Sequence, residues 1–298
     1  MCGIAGWIDC RKLCDSTAIM RRMAQTMTPR GPDSGGFYTD DNCALAHRRL
    51  SVIDPAGGSQ PMSRPYGGDR FTIVYNGELY NTAELRSELE SMGVEFTTAS
   101  DTEVLLNAYI TWGESCLDKL NGIYAFAIWQ EREKQLFLAR DRIGVKPLFY
   151  YEYAGGLIFA SEIKTLLAHP MIEPVIDRDG IAQIMLLGPA RKPGSGVFKG
   201  IKELCPAECA MYCRCGLKKR SYWTLRALPH KESPEETEQH VAYLLTDAIK
   251  RQLVSDVPLC TMLSGGLDSS IISAVAAKEF ESKGRQLTTF SIDYKDNA

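Results

Sequence analysis

Short strand-like runs separated by tight turns set the strongest limit on what this chain can fold into. They occur at Gly3 to Ile8, Phe71 to Tyr75, Ile123 to Trp129, Gln135 to Ala139, Pro147 to Tyr153 and Leu157 to Ala160, and are rich in residues that suit a pleated surface. Strands that follow one another through short turns pair antiparallel. Helical periodicity over Thr17 to Met27, Thr82 to Met92, Thr102 to Trp112 and Arg178 to Leu186 adds helices packed outside the sheets, an α+β pattern.

The pattern changes after the polar stretch Pro229 to Pro234. A helix, Glu235 to Gln252, leads into the apolar strand Val257 to Leu263, followed by Ser264-Gly-Gly-Leu-Asp-Ser-Ser270, a helix through Phe280 and a strand, Leu287 to Ile292. That is one βαβ unit. The reading is therefore two domains, residues 1–228 and 229–298. A parallel sheet needs several such units to cover both faces, so the second domain is expected to be incomplete, the chain being a fragment or an early-terminated product.

With 34 basic against 37 acidic residues and a formal charge of −3, no basic face or tail draws nucleic acid or anionic lipid. The longest apolar runs, Ile123 to Trp129 and Ile271 to Ala277, are too short to cross a bilayer. The amino terminus lacks a secretory signal, so a cytoplasmic location is expected and the ten cysteines read as thiols. Cys205, Cys209, Cys213 and Cys215 crowd one segment without the paired spacing of a zinc ribbon. They read as a chance cluster in a hairpin, and no metal site is expected there.

Cys2 follows the initiator methionine. If Met1 is trimmed, the α-amine of Cys2, with a reference pKa near 8, can serve as base for its own thiol. Taken alone, a small second residue that merely permits trimming is the simpler reading. A cysteine that cleaves the side-chain amide of glutamine needs more: a cation for the carboxylate, an anion for the ammonium and a donor pair for the oxyanion. Arg49, Asp101 and the pair Asn76 and Gly77 are the candidates. Each has a plain alternative, since Asn-Gly is a hairpin signal and Asp101 could cap a helix.

The words Cys2-Gly-Ile-Ala-Gly6, Arg30-Gly-Pro-Asp33, Arg49-Leu-Ser51, Tyr75-Asn-Gly-Glu78, Ser100-Asp-Thr-Glu103 and Asp141-Arg-Ile-Gly-Val-Lys-Pro147 come in one order, and the domain that carries them resembles the class II glutamine amidotransferases. The resemblance implies an N-terminal-nucleophile hydrolase with a four-layer αββα sandwich. It implies that Cys2 attacks the glutamine amide, that Arg49 binds the carboxylate, that Asn76 and Gly77 stabilise the oxyanion, and that Glu78 and Asp101 contact the α-amine. Arg30 to Asp33 and Asp141 to Pro147 read as scaffolding.

Ser264 to Ser270 stands between a strand and a helix, where N–H groups and the helix dipole favour phosphate. No lysine follows the glycines, so it is not a Walker loop. It resembles the pyrophosphate loop of ATP pyrophosphatases, and the combination resembles the glutamine-hydrolysing asparagine synthetase family. That resemblance implies an adenine-nucleotide alpha-hydrolase-like second domain, with Ser264, Gly265, Gly266, Asp268 and Ser269 at the pyrophosphate, Leu263 and Ile292 at the nucleotide, and Mg²⁺ bridging phosphates. It also implies glutamine, ATP and aspartate as substrates, ammonia passing through an internal tunnel, and it leaves a homodimer open. Other class II amidotransferases should lack the Ser264 to Ser270 loop, and β-lactam synthetase should lack the glutamine site. A non-catalytic glutamine-binding or interaction fragment is the alternative from another class.

Overall fold

The computed structural model describes residues 1–11 and 16–293. The chain divides into two compact units, Met1–Leu225 and Arg226–Ala298.

The first unit is built on two six-stranded sheets. One comprises β1 (Gly3–Asp9), β2 (Ser34–Thr39), β3 (Cys43–Arg49), β8 (Phe149–Tyr153), β9 (Gly156–Ala160) and β10 (Ile201–Glu203), in the order β10-β8-β9-β1-β3-β2. The other comprises β4 (Met62–Tyr66), β5 (Asp69–Leu79), β6 (Gly122–Gln130), β7 (Gln135–Arg140), β11 (Glu208–Cys213) and β12 (Gly216–Ser221), in the order β12-β11-β7-β6-β5-β4. Neighbours within each sheet pair antiparallel. The helices are α1 (Ser16–Thr26), α2 (Thr82–Ser91), α3 (Asp101–Trp112), α4 (Cys116–Lys119), α5 (Ile163–Leu167) and α6 (Arg178–Leu187).

Strand β6 shows why its sequence reads as an unbroken apolar run. Its Ala125, Ala127 and Trp129 enter a core shared with Ile4, Leu45 and Phe159 of the facing sheet, while Tyr124, Phe126 and Ile128 pack against Val104, Leu105 and Leu117 from helices α3 and α4. Successive residues point to opposite faces, and both faces are buried. On the far side of the first sheet, Ala5 and Trp7 of β1 meet Met20, Met23 and Ala24 of α1 and Leu166 of α5. The unit is therefore layered helix, sheet, sheet, helix.

Three expectations from sequence need correction. Strands β2, β3 and β4 are absent from the sequence reading, because their Gly, Arg and Pro residues break the apolar pattern. Arg49, which in sequence reads as following a loop, consequently ends β3. Strand β5 runs on through Asn76 and Gly77 to Leu79, and these residues pair with Ala125 and Tyr124 of β6, so the Asn-Gly dipeptide makes no turn.

In the second unit, α7 (Pro234–Arg251) starts with a capping box between Ser233 and Glu236. It is followed by β13 (Cys260–Met262), α8 (Leu267–Ser282) and β14 (Thr288–Phe290), with β13 and β14 parallel. Strand β13 is shorter than expected from Val257 to Leu263. Among the described residues, no helix is long and apolar enough to cross a membrane.

The clustered cysteines separate in the fold. Cys209 is buried in the core beneath α3, Cys205 and Cys213 are half-buried, and Cys215 is exposed. Among the described residues, no group of three His, Cys, Asp or Glu side chains could hold a metal ion. Cys14 lies outside the described residues.

Candidate active site

The first strand of the central sheet begins next to Cys2, and its pairing with β3 sets Gly3 opposite Arg48. The Cys2 thiol therefore lies beside the end of β3, where the Leu50 N–H donates to Sγ at 3.4 Å. The Arg30 Nε donates to the Cys2 carbonyl at 2.9 Å, and the Met1 ammonium donates to the Arg30 carbonyl at 3.1 Å. Burial pushes the thiol pKa up, while the Leu50 N–H, the chain terminus and Arg49 pull it back.

Cys2 lines a cavity of about 100 Å³ together with Met1, Arg49, Gln60, Tyr75, Asn76, Gly77, Glu78, Asp101 and Lys146. The glutamine-site candidates from sequence are thus brought together, and Gln60, Tyr75 and Lys146 are added to them.

Strand β5 positions its residues by alternation. Val74 belongs to the core between the sheets, so Asn76, two residues on, presents its side chain to the same face, toward the sheet in which Cys2 precedes β1. Asn76 is 1% exposed, and its Nδ2 has no hydrogen-bond partner. A buried amide donor left unpaired costs on the order of 1–3 kcal/mol. Along the strand's edge, the Tyr75 N–H donates to Gln60 Oε1 at 2.6 Å and the Leu79 N–H to Asp101 Oδ2 at 3.4 Å. N–H groups two residues apart share one edge of a strand, and β4 pairs with β5 only as far as Ile73. The Gly77 N–H therefore lies on the open edge between those two donors. A Cβ at Gly77 would sit 2.4 Å from the Ile123 carbonyl oxygen and 2.8 Å from Tyr124 Cα, so only glycine fits.

Asp101 is the first residue of α3, behind the Ser100 cap, whose side chain accepts from the Thr102 N–H. Its carboxylate accepts from the Tyr75 hydroxyl at 2.9 Å. Burial raises its pKa to about 6, with Glu78 adding to the rise and the Tyr75 and Leu79 hydrogen bonds opposing it. The His47 imidazole spans the sheets to the Tyr75 carbonyl at 3.0 Å. That carbonyl can only accept, so Nε2 carries the hydrogen, and burial lowers the ring's pKa to about 4.

Arg49 reaches the cavity already engaged. Its Nη1 donates to the Pro55 carbonyl at 2.9 Å, and its Nη2 donates to those of Ile53 and Asp54 at 2.9 and 2.7 Å. The guanidinium thereby folds residues 50–58 around itself.

In the second unit, Gly265 has φ +84°, and the extended Gly266 precedes α8 without any side-chain cap on the helix amides. Ser264 and Ser269 join through their hydroxyls at 3.0 Å. The Leu263 N–H donates to the Phe290 carbonyl at 2.8 Å, and the Ser291 hydroxyl donates to the Leu263 carbonyl at 2.8 Å. Asp268 stands in the first turn of α8, and Ile292 is exposed just beyond β14.

Two stacked antiparallel sheets between helices, with a cysteine at the entrance to a central strand, define the first unit as an N-terminal-nucleophile type of fold. The chain belongs to the glutamine amidotransferase family: the family described as "Glutamine amidotransferase domain" matches residues 1–223, and "Asparagine synthase" matches residues 240–298. "Asparagine synthetase [glutamine-hydrolyzing] 3" of Bacillus subtilis is 51% identical over 299 residues, covering 100% of this chain and 49% of that protein. "Asparagine synthetase [glutamine-hydrolyzing] 1" of the same organism is 36% identical, covering 99% and 46%. The chain thus spans about half the length of the curated relatives it matches. Among solved structures, the glutamine phosphoribosylpyrophosphate amidotransferase of B. subtilis has a similar fold, with a TM-score of 0.54 at 18% identity over 97% of this chain and 65% of that one.

Proposed function

We propose that residues 1–228 form a glutaminase in which Cys2 attacks the side-chain amide of glutamine, expelling ammonia, after which water cleaves the thioester to release glutamate. The observation that carries this reading is the buried Asn76 Nδ2, a donor without a partner in the cavity that holds the Cys2 thiol. A fixed donor of that kind suits an oxyanion, which it stabilises without reorganising, and Gly77 N–H is the second donor. Arg49 would face the α-carboxylate. Glu78 and Asp101 would take the α-ammonium, whose charge would offset their mutual repulsion.

The ammonia would serve ATP-dependent amidation of aspartate to asparagine, with AMP and pyrophosphate formed, by a synthetase domain that begins in residues 229–298. The uncapped start of α8 fits phosphate oxygens, since its first-turn N–H groups lack a side-chain partner. Ser264, Gly265, Gly266, Asp268 and Ser269 would hold the pyrophosphate portion of ATP, with Leu263 and Ile292 beside the nucleotide. Mg²⁺ would neutralise the phosphates near Asp268.

Purified protein should release glutamate from glutamine, and Cys2→Ala should abolish release while leaving the thermal unfolding midpoint within a few degrees. Well-folded wild-type protein that releases no glutamate would end this reading.

A further inference from the structure

The loop after β7 is built with unusual care. Asp141, fully buried, accepts from the N–H groups of Tyr124, Ile143, Val145 and Lys146 at 2.9–3.2 Å. Arg140 donates to the carbonyls of Lys146 and Gly144 at 2.7 and 2.8 Å and also to that of Leu204, and it is paired with Glu203 at 3.0 Å. Gly144 makes the turn at φ +74°, where a Cβ would sit 2.7 Å from the Pro206 ring. Five of these hydrogen bonds fix the backbone of residues 143–146, the rest anchor Arg140 and Asp141, and the loop brings one side chain to the Cys2 cavity.

That side chain is Lys146. It is 5% exposed, and among the described residues no hydrogen bond or ion pair engages its ammonium. The other cations near the thiol are engaged: Arg30 by the Cys2 carbonyl and Glu162, Arg49 by three carbonyls, and the Met1 ammonium by the Arg30 carbonyl. The anionic groups that face this space are Glu78 from β5, Asp101 from α3, Asp141 from the loop itself and Cys2. Lys146 lines the cavity that Cys2 lines, and a fold that presents a mostly desolvated ammonium to the space beside a nucleophilic sulfur has a use for its charge.

We propose that Lys146 is a positioning residue for Cys2, its ammonium supplying a positive charge across the cavity that favours the thiolate over the thiol. This rests on the glutaminase reading only for its purpose; the thiolate itself is testable without glutamine. The charge has a burial cost to work against, since desolvation leaves the Cys2 thiol above its usual value. Burial pulls the Lys146 pKa down, while Glu78 and Cys2 push it back up, and the same ammonium acts to lower the pKa of the chain-terminal amine. The thiol proton leaves to the amine or to water.

The test is the pH dependence of Cys2 alkylation by iodoacetamide in the full chain, followed residue by residue by mass spectrometry, with exposed Cys215 as internal reference. Removing a unit charge from a cavity of effective dielectric near 20 is worth on the order of one pKa unit. Lys146→Met and Lys146→Gln should therefore move the Cys2 titration up by about one unit and slow alkylation near neutral pH about tenfold, without moving Cys215. Lys146→Arg should keep the wild-type titration. Identical titrations for wild type and the neutral variants would overturn the proposal, as would an upward shift in Lys146→Arg equal to theirs. A protein that releases no glutamate yet shows the charge-dependent shift would refute the glutaminase and leave the role of Lys146 standing.

Discussion

The Tyr75 hydroxyl donates to Asp101 at 2.9 Å from the strand that also carries Asn76 and Gly77. On the proposed glutaminase reading, one carboxylate thus ties the ammonium side of the cavity to the oxyanion side. Its pKa of about 6 lies within reach of ordinary assays. Below that value the free enzyme holds Asp101 protonated, and glutamine loses half of its anionic ammonium partner. The kcat/KM for glutamine should fall as pH drops through 6 and level off where Glu78 alone serves the ammonium. A flat profile between pH 5 and 7 would remove Asp101 from substrate binding.

The same shift has a sign for stability. An acid whose folded pKa exceeds its usual 3.8 binds its proton more tightly when folded, so stability falls as pH rises from about 4 to 6 and the loss persists above that window. A shift to about 6 corresponds to roughly 3 kcal/mol. Asp101→Asn should raise the unfolding free energy above pH 7 by about 1–3 kcal/mol while glutamine binding collapses. Urea unfolding at pH 5 and pH 8 checks it, and a variant less stable than wild type at pH 8 would contradict the assignment.

Asn76 and Gly77 should separate cleanly by mutation. Asn76→Ala removes an unpaired donor, so kcat should fall about 10²–10³-fold with little change in stability. Gly77→Ala instead drives a methyl into the Ile123 carbonyl and Tyr124 backbone and should lower the melting temperature together with activity. Equal melting temperatures for the two variants would show that β5 yields at this point.

The contrast between these residues also explains what was legible in sequence. Cys2, Asn76, Gly77 and Asp101 could be named because the words that carry them come in the order of a known family; taken singly, each has a plainer reading. That Asn76 stands in mid-strand could not be read, because Asn-Gly is a turn signal until β6 pairs with it. Lys146 was concealed differently. It lies within Asp141 to Pro147, all of which reads as scaffolding in sequence, and only the folded path of the loop shows which side chain reaches the cavity. The sheet order and the partners of β2, β3 and β4 depend on long-range pairing that short, polar-interrupted segments do not announce.

Arg49 offers a last distinction, between a charge and a clamp. If it serves glutamine only as a cation, Arg49→Lys retains most of the affinity and Arg49→Ala raises KM by the roughly 1.5–3 kcal/mol of a charge-assisted hydrogen bond, about 10- to 150-fold. Its guanidinium, however, holds three carbonyls of residues 53–55 at once, and a lysine ammonium lacks the planar fork to do so. Both variants should therefore raise KM by similar factors, and both should expose residues 50–58 to limited proteolysis at sites protected in the wild type. Near-normal KM and protection in Arg49→Lys would reduce Arg49 to its charge.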